Sequence, residues 1–268
     1  MSINGVGSNY INSAASQSLN RSQESLSSGR RINSAADDAA GLQIANRLTG
    51  QIDGNGQAIR NSMDGISLAQ VAQSGLESIT NDLTSLRELA VQAGNGIYSS
   101  ADRQALQKQA SALMENIQST IGNTTFAGKE LFTENGSLGF QVGPNSNSTF
   151  NVATNDITAS LTSSGLFSLD ISDANALEST LSSIDDSLSN ISSLQTEYGA
   201  TQNAFSSRID ALLSNRENES AARSRIQDAD FAATVSDQIA ASILERSSIA
   251  VQAQANANAG QSLNLLSS

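Results

Sequence analysis

The residues with the strongest claim to chemistry in this chain are three close acidic pairs, Asp37-Asp38, Asp185-Asp186 and Asp228-x-Asp230. Two carboxyl groups can share a proton as a catalytic dyad only if they face each other. Asp185 and Asp186 are neighbours on a predicted helix, where successive side chains diverge by about 100°, so they cannot do this. Asp228-x-Asp230 has the opening of a calcium loop but neither its Gly nor its distal Glu. The chain has no His and no Cys. That rules out Ser-His-Asp, Cys-His and HExxH arrangements, disulfides and thiolate metal sites. No GxxxxGK run follows a strand. The sequon Asn147-Ser148-Thr149 is what so Asn- and Ser-rich a chain yields by chance, while O-linked sugars near it are compatible with its Ser and Thr. The residues predict no catalytic group, no cofactor and no metal.

Charge and composition narrow the classes further. The net charge is −12 over 268 residues. From Met1 to Asn46 the acids Glu24, Asp37 and Asp38 balance Arg21, Arg30 and Arg31; between Lys129 and Arg208 there is no base and there are nine acids. Neutral ends and an acidic middle leave no basic footprint for nucleic acid. No run approaches 18 apolar residues, so no membrane-spanning helix is expected. The start, MSINGVGSNYINSAASQSLN, lacks the basic and apolar regions of a cleaved signal peptide. Aromatics are only 4%, with no Trp and a single Pro, Pro144. Such a chain favours long helices with burial spread along a narrow seam.

The elements follow from periodicity. Leu177, Ile184, Ile191, Tyr198, Phe205 and Leu212 recur every seven residues, with Leu181, Leu188, Gln195, Gln202 and Ile209 in the alternate positions. This is a coiled-coil stripe, in which the two Gln residues set register. A partner stripe runs through Ile52, Ile59, Met63, Ile66, Ala69, Gln73, Leu76, Ile79, Leu83, Leu86, Ala90 and Ala93, predicting one helix from Gln43 to Ala93. GNGIYSS breaks it, and Asp102 opens a shorter helix carrying Leu106, Ala110, Leu113, Ile117 and Ile121. Phe140, Val142, Phe150 and Val152 alternate on either side of GPNSNS, predicting a hairpin at 139–153 that must dock on the helices. The Ser/Thr-rich stretch to Ser172 holds too few apolar residues for a domain.

The ends differ. Ile3, Val6, Tyr10, Ala14, Leu19 and Leu26 form a sparse stripe, as do Val235, Ile239, Ile243, Ala250, Ala253 and Ala257, followed by Leu263, Leu265 and Leu266. Such thin apolar faces do not offset the entropy of ordering a helix. Each needs a second stripe, from the other end or from neighbouring molecules. The fold class is therefore mainly α: a long antiparallel coiled-coil or helical-bundle rod, a small β-hairpin region, and paired N- and C-terminal segments.

LSSGRRINSAADDAAGLQIANRL (Leu26–Leu48), SAARSRIQDADFA (Ser220–Ala232) and QANANAGQSLNLL (Gln254–Leu266) resemble the two end signatures of bacterial flagellins. Gly260 stands where many flagellins have Pro. The resemblance implies a terminal coiled-coil domain of 1–42 plus 230–268 lining a filament core, and a rod domain of 43–229. The resemblance extends over both ends and both heptad regions, everything outside roughly 135–172, and so implies a short form without outer variable domains, because only about 40 residues are left for them. It also implies self-assembly into a helical homopolymer outside the cell, export without a cleaved signal peptide by the flagellar export apparatus and its chaperone, and junction and cap proteins as partners. Arg30, Arg31, Asn33, Asp37 and Asp38 would then contact neighbouring subunits, with Val235, Ile239, Ile243, Leu263, Leu265 and Leu266. A local reading of the first group is helix capping by Asn33 or Ser34, with Asp37 and Asp38 favouring a helix start.

A hook–filament junction protein or a minor flagellin is the alternative within the same class. A different class is a ligand of the flagellin-sensing Toll-like receptor, which faces Leu83, Arg87, Glu88 and Leu89. Here LTSLREL places Ser85 where receptor-binding members resemble Arg, and Gln109 where they often have Glu. The expected binding is weak. Leu83 and Leu86 continue the apolar seam whether or not a receptor is present.

Overall fold

The computed structural model describes the backbone of residues 4–173 and 176–266, with the side chains of 4–12, 259 and 262–266 outside the description. Near-absence of Pro lets helices dominate: α1 (Asn4–Ser28), α2 (Ala35–Ala93), α3 (Ser100–Asn123), α4 (Ile157–Ser163), α5 (Leu177–Gln227) and α6 (Phe231–Leu266). Two antiparallel ribbons accompany them, β1 (Thr125–Phe126) with β2 (Lys129–Glu130), and β3 (Gly136–Gln141) with β4 (Thr149–Thr154). The chain forms two compact units, one of residues up to Ile52 and from Glu217 onward, the other Asp53–Arg216. This division lies deeper in the chain than the expected 42/43 and 229/230. The first turns of α2 stay with the end of α5 in the terminal unit, where the Arg223 guanidinium reaches Thr49 Oγ1 at 3.5 Å.

In the central unit α5 runs antiparallel to α2. Gln195 Nε2 donates to Thr80 Oγ1 at 3.2 Å, Gln202 Nε2 to Gln73 Oε1 at 2.7 Å, and Arg87 pairs with Asp185 at 2.8 Å. The heptad positions Ile184, Ile191, Tyr198, Phe205 and Leu212 are buried, while Leu177, Leu181, Leu188 and Ile209 are half-buried. The two Gln residues are thus paired across the seam, and a shifted register would strand them. From α2 the core takes Ala69, Leu76, Ile79, Leu83, Leu86 and Ala90; from α3 it takes Leu106, Ala110, Met114, Ile117 and Ile121. Leu113 is only half-buried, its place taken by Met114.

One expected core residue is outside. Met63 is 52% exposed, and the buried face of α2 passes through Ser62 and Gly65 instead. The cause is Phe205, whose ring lies so close that a Cβ on Gly65 would sit 2.3 Å from its Cζ. The hairpin docks on the same ring. Phe140 and Phe150, opposite each other across the ribbon, stand edge-on to Phe205 at 5.5 and 4.8 Å, and the Arg208 guanidinium lies 4.7 Å over Phe150. Edge-on aromatic contact of this kind adds to simple burial. Further along, the Tyr198 hydroxyl donates to Ala153 O at 3.3 Å, and Asn61 Nδ2 donates to Gln141 O at 2.9 Å. Burial, with a smaller contribution from the Glu197 charge, pushes the Tyr198 phenol up to about 12.

Other differences are local. α3 starts at Ser100 rather than Asp102, because Ser99 and Asp102 form a reciprocal capping box. The Ser/Thr-rich stretch is structured: Asp156 caps α4, and Leu161, Leu166 and Ile171 join the main core. β1 and β2 are joined through Ala127 and Gly128, both at positive φ (51° and 78°), as a two-residue hairpin turn requires.

Candidate assembly surface

The surface that could recruit other molecules is built on the terminal unit, beginning with two short connections. Gly29, at φ +68°, ends α1 in the left-handed conformation that favours glycine. Its carbonyl accepts the Ala229 N–H at 3.0 Å, and Gln227 O accepts Arg31 N–H at 2.6 Å. Arg30 and Asp228 are bridge partners between these bonds. The Arg31 guanidinium donates to Ile226 O at 2.6 Å, and buried Gln227 returns a bond from Nε2 to Ile32 O at 3.3 Å. With Ile32 1% exposed beneath it, this clasp ties the N-terminal connection to the C-terminal one.

The expected caps are exchanged. Asp37 turns back, its Oδ2 accepting the Ser34 N–H at 2.9 Å, the Asn33 N–H at 3.1 Å and the Ser34 hydroxyl at 3.1 Å. These bonds, led by the Ser34 backbone, lower its pKa. Asp38 is extended (φ −162°, ψ 98°) and its Oδ1 accepts Gly41 N–H at 2.8 Å, so it caps the regular part of α2. The helix therefore begins well before Gln43. Gly41 has no room for a side chain, since a Cβ there would meet Asp38 Oδ2 at 2.5 Å and Ile32 Cδ1 at 2.7 Å. Asn33 Nδ2 donates to Arg30 O at 3.2 Å. Four of the five polar candidates, Arg31, Asn33, Asp37 and Asp38, are thus engaged within the chain. The Arg30 side chain is exposed, and among the described residues no bond to its guanidinium is seen. Asp230 caps α6 by accepting the Ala232 and Ala233 N–H groups.

α1 and α6 pair, but among the described residues most large apolar groups of α6 stay outside the contact. The inner face of α6 carries Thr234, Gln238, Ala241, Glu245, Ser248 and Gln252 at alternating steps of four and three. Opposite lie Ala15, Leu19, Ser22 and Leu26 of α1, and Ser16 Oγ donates to Glu245 Oε1 at 2.9 Å. Along the pair runs an open groove of about 470 Å³ whose lining includes Ala15, Arg21, Asp237 and Leu244. Phe231, Ile239, Ile243, Leu244, Ile249 and Val251 are instead between 53% and 64% exposed. Val235 is half-buried. Among the described residues, Ile239 and Ile243 of the C-terminal apolar stripe are therefore left largely uncovered by α1, whose inner face offers Ala15, Leu19, Ser22 and Leu26. Leu263, Leu265 and Leu266 belong to α6, but their side chains lie outside the described residues, as do those of Ile3, Val6 and Tyr10.

In the central unit the four receptor candidates separate. Leu83 is fully buried and faces the core, so it is not a surface residue; Leu89 is half-buried. Arg87 and Glu88 are exposed, and the Arg87 pKa is raised, chiefly by its hydrogen bond to Asp185. Ser85 and Gln109 are exposed as well. Among the described residues no group of three acidic side chains is placed to hold a metal, and no helix is long and apolar enough to cross a membrane.

The N-terminal helical region of bacterial flagellins matches residues 7–137, and the C-terminal helical region matches residues 181–266. The chain is 37% identical over 247 residues to a flagellin of Halalkalibacterium halodurans, spanning 92% of this chain and 91% of that one. It is 33% identical to the flagellar filament 33 kDa core protein of Treponema phagedenis, spanning 93% and 92%. The crystal structure of Bacillus cereus flagellin aligns with a TM-score of 0.52 at 26% identity, over 57% of this chain and 88% of that one. Between the two matched regions there is room only for the β3–β4 ribbon, α4 and the approach to α5. The chain belongs to the bacterial flagellin family, as a short form without outer variable domains.

Proposed function

We propose that this protein is the structural subunit of a flagellar filament, polymerising with copies of itself outside the cell to support swimming. The observation that carries the reading is the outward apolar face of α6. Phe231, Ile239, Ile243, Leu244 and Val251 would stay in water in an isolated molecule, and contact with other copies would bury them at about 1.5–3 kcal/mol per fully buried side chain. The α1–α6 pair then forms the inner core of the polymer. Arg30 is the polar candidate best able to reach a neighbouring subunit, since the other four are spent on the local fold. The family is a structural one, and no catalytic role is assigned. Export through the flagellar export apparatus with a chaperone, and contact with junction and cap proteins, follow from the same reading.

The test is to seed purified protein with sheared filament fragments and follow growth by negative-stain microscopy. Long uniform fibres are expected, and Ile239→Asp with Ile243→Asp should abolish them while the central unit still melts normally. Seeds that are only capped would point to a junction role instead. Growth of the double variant at the wild-type rate would remove α6 from the assembly surface.

A further inference from the structure

Asn-Gly pairs occur at Asn4, Asn55, Asn95 and Asn135. In such a pair the following backbone nitrogen can attack the Asn side-chain carbonyl carbon, and Gly offers no side chain to hinder it. Whether it does depends on the fold. Asn55 is 2% exposed in α2, where the Gly56 N–H belongs to the helical hydrogen-bond ladder. Asn135 Oδ1 accepts the Asp156 N–H at 2.9 Å, and Gly136 is held opposite Thr154 in the β3–β4 ribbon. Asn4 opens α1, and its side chain lies outside the description.

Asn95 is different. It lies in the turn between α2 and α3, exposed together with Gly96 and with Ile97, which is 80% exposed. Asn95 Oδ1 accepts the Ile97 N–H at 3.2 Å, an Asx turn that folds the side-chain amide over the Gly96 peptide. The same bond withdraws electrons from the carbonyl carbon that the Gly96 nitrogen would attack.

We infer that Asn95 is a site of spontaneous deamidation, selected among the described Asn-Gly pairs by this exposed Asx turn. The Gly96 amide gives its proton to solvent and its nitrogen bonds to Asn95 Cγ. The Cγ–Nδ2 bond then breaks, and the leaving nitrogen takes up a proton to depart as ammonia. The five-membered imide left behind is opened by water at either carbonyl carbon. One opening yields Asp; the other yields isoaspartate, with the main chain routed through Cβ and Cγ. The net change is water consumed, ammonia released and one negative charge gained, with no oxidation or reduction. The inference rests on the turn geometry and not on the filament reading.

The test uses the full-length protein at mildly alkaline pH, sampled over time in native buffer and in denaturant. Trypsin places the three described sites on separate peptides, 48–60, 88–103 and 130–208. Mass spectrometry reads the gain that accompanies replacement of the amide by an acid. In the native protein Asn95 should convert several-fold faster than Asn55 and Asn135, and in denaturant the three rates should converge. Gly96→Ala is a clean control, because a Cβ at this position meets nothing within 4 Å and φ is not positive. It should leave the fold intact and slow conversion at Asn95 alone. A native Asn95 no faster than Asn55 and Asn135, or one unaffected by Gly96→Ala, overturns the inference.

Discussion

Two glycines nine residues apart in α2 should respond in opposite ways to the same substitution. In a helix interior Gly→Ala ordinarily gains about 0.5–1 kcal/mol, by restricting the unfolded chain and improving propensity. At Gly56 a new Cβ meets nothing within 4 Å, so that gain should appear in full. At Gly65 it would lie 2.3, 2.6 and 2.8 Å from three atoms of the Phe205 ring. That ring cannot swing aside, because Phe140 and Phe150 hold it edge-on from the hairpin. Overpacking against a fixed ring costs about 1–3 kcal/mol, and such short approaches belong at the upper end. The net effect of Gly65→Ala should be about 2 kcal/mol destabilising. For a unit of this size a kcal/mol is worth about 2–4 °C, so the two variants should melt about 5–12 °C apart by circular dichroism. Phe205→Leu removes the ring atoms in question, at its own cost of about 1–3 kcal/mol. Combined with Gly65→Ala it should cost less than the sum by about 1–2 kcal/mol. If Gly65→Ala melts at or above wild type, or the two costs simply add, the knob-in-hole account of this contact is wrong.

The remaining predictions probe the seam, the hairpin and the exposed end of α2. Ile191→Asp puts a carboxylate at a 1% exposed position and should cost more than about 4 kcal/mol in urea unfolding, while Ser189→Asp, on the exposed face, should be nearly silent; equal effects would refute the heptad phase. The Tyr198 phenol is raised from about 10 to about 12, so the neutral form is favoured in the folded state. Its contribution is complete below pH 10 and is lost as pH climbs from 10 to 12, up to about 3 kcal/mol. Tyr198→Phe should flatten that part of a stability-versus-pH curve, and an unchanged slope would exclude Tyr198 as its source. Ser85→Arg with Gln109→Glu should strengthen flagellin-receptor signalling in reporter cells, because two charge-assisted hydrogen bonds of about 1.5–3 kcal/mol each become available. A wild-type response already equal to the double variant would sink that expectation.

What could be read from the sequence was whatever repeats. The α5 stripe is legible because one residue in seven is large and apolar over five turns of the pattern, and each of Ile184 to Leu212 is buried where the period puts it. The Phe140–Phe150 hairpin is legible because alternation brackets a Gly/Pro/Asn turn. Legibility fails where a single contact decides. Met63 fits the α2 stripe by spacing, but Phe205, far away in sequence, claims the neighbouring Gly65 face. α4 hides in a Ser/Thr-rich stretch because seven residues carry no readable helical period; its Asp156 cap was the available signal. Asp37 and Asp38 look equivalent in sequence, and only the extended backbone at Asp38 makes it the cap.

The orientation of α6 shows why the terminal helices resisted a simple amphipathic reading. Two apolar stripes in one chain invite the expectation that they face each other, yet α6 turns Ala241, Ser248 and Gln252 inward and leaves Ile239 and Ile243 outward. Small inner residues give little apolar area, so pairing with α1 is held by close packing, the Ser16–Glu245 bond and the clasp around Gln227. The outer face keeps a further driving force in reserve, since Ile239, Ile243 and Leu244, each a little over half exposed, together leave about 3–5 kcal/mol of transfer free energy unspent. A chain built this way sets the partner helix by geometry and reserves part of its apolar driving force for a surface that α1 does not cover. In the filament reading, the order of the terminal unit is then governed by protomer concentration and seeding more than by the fold of one molecule.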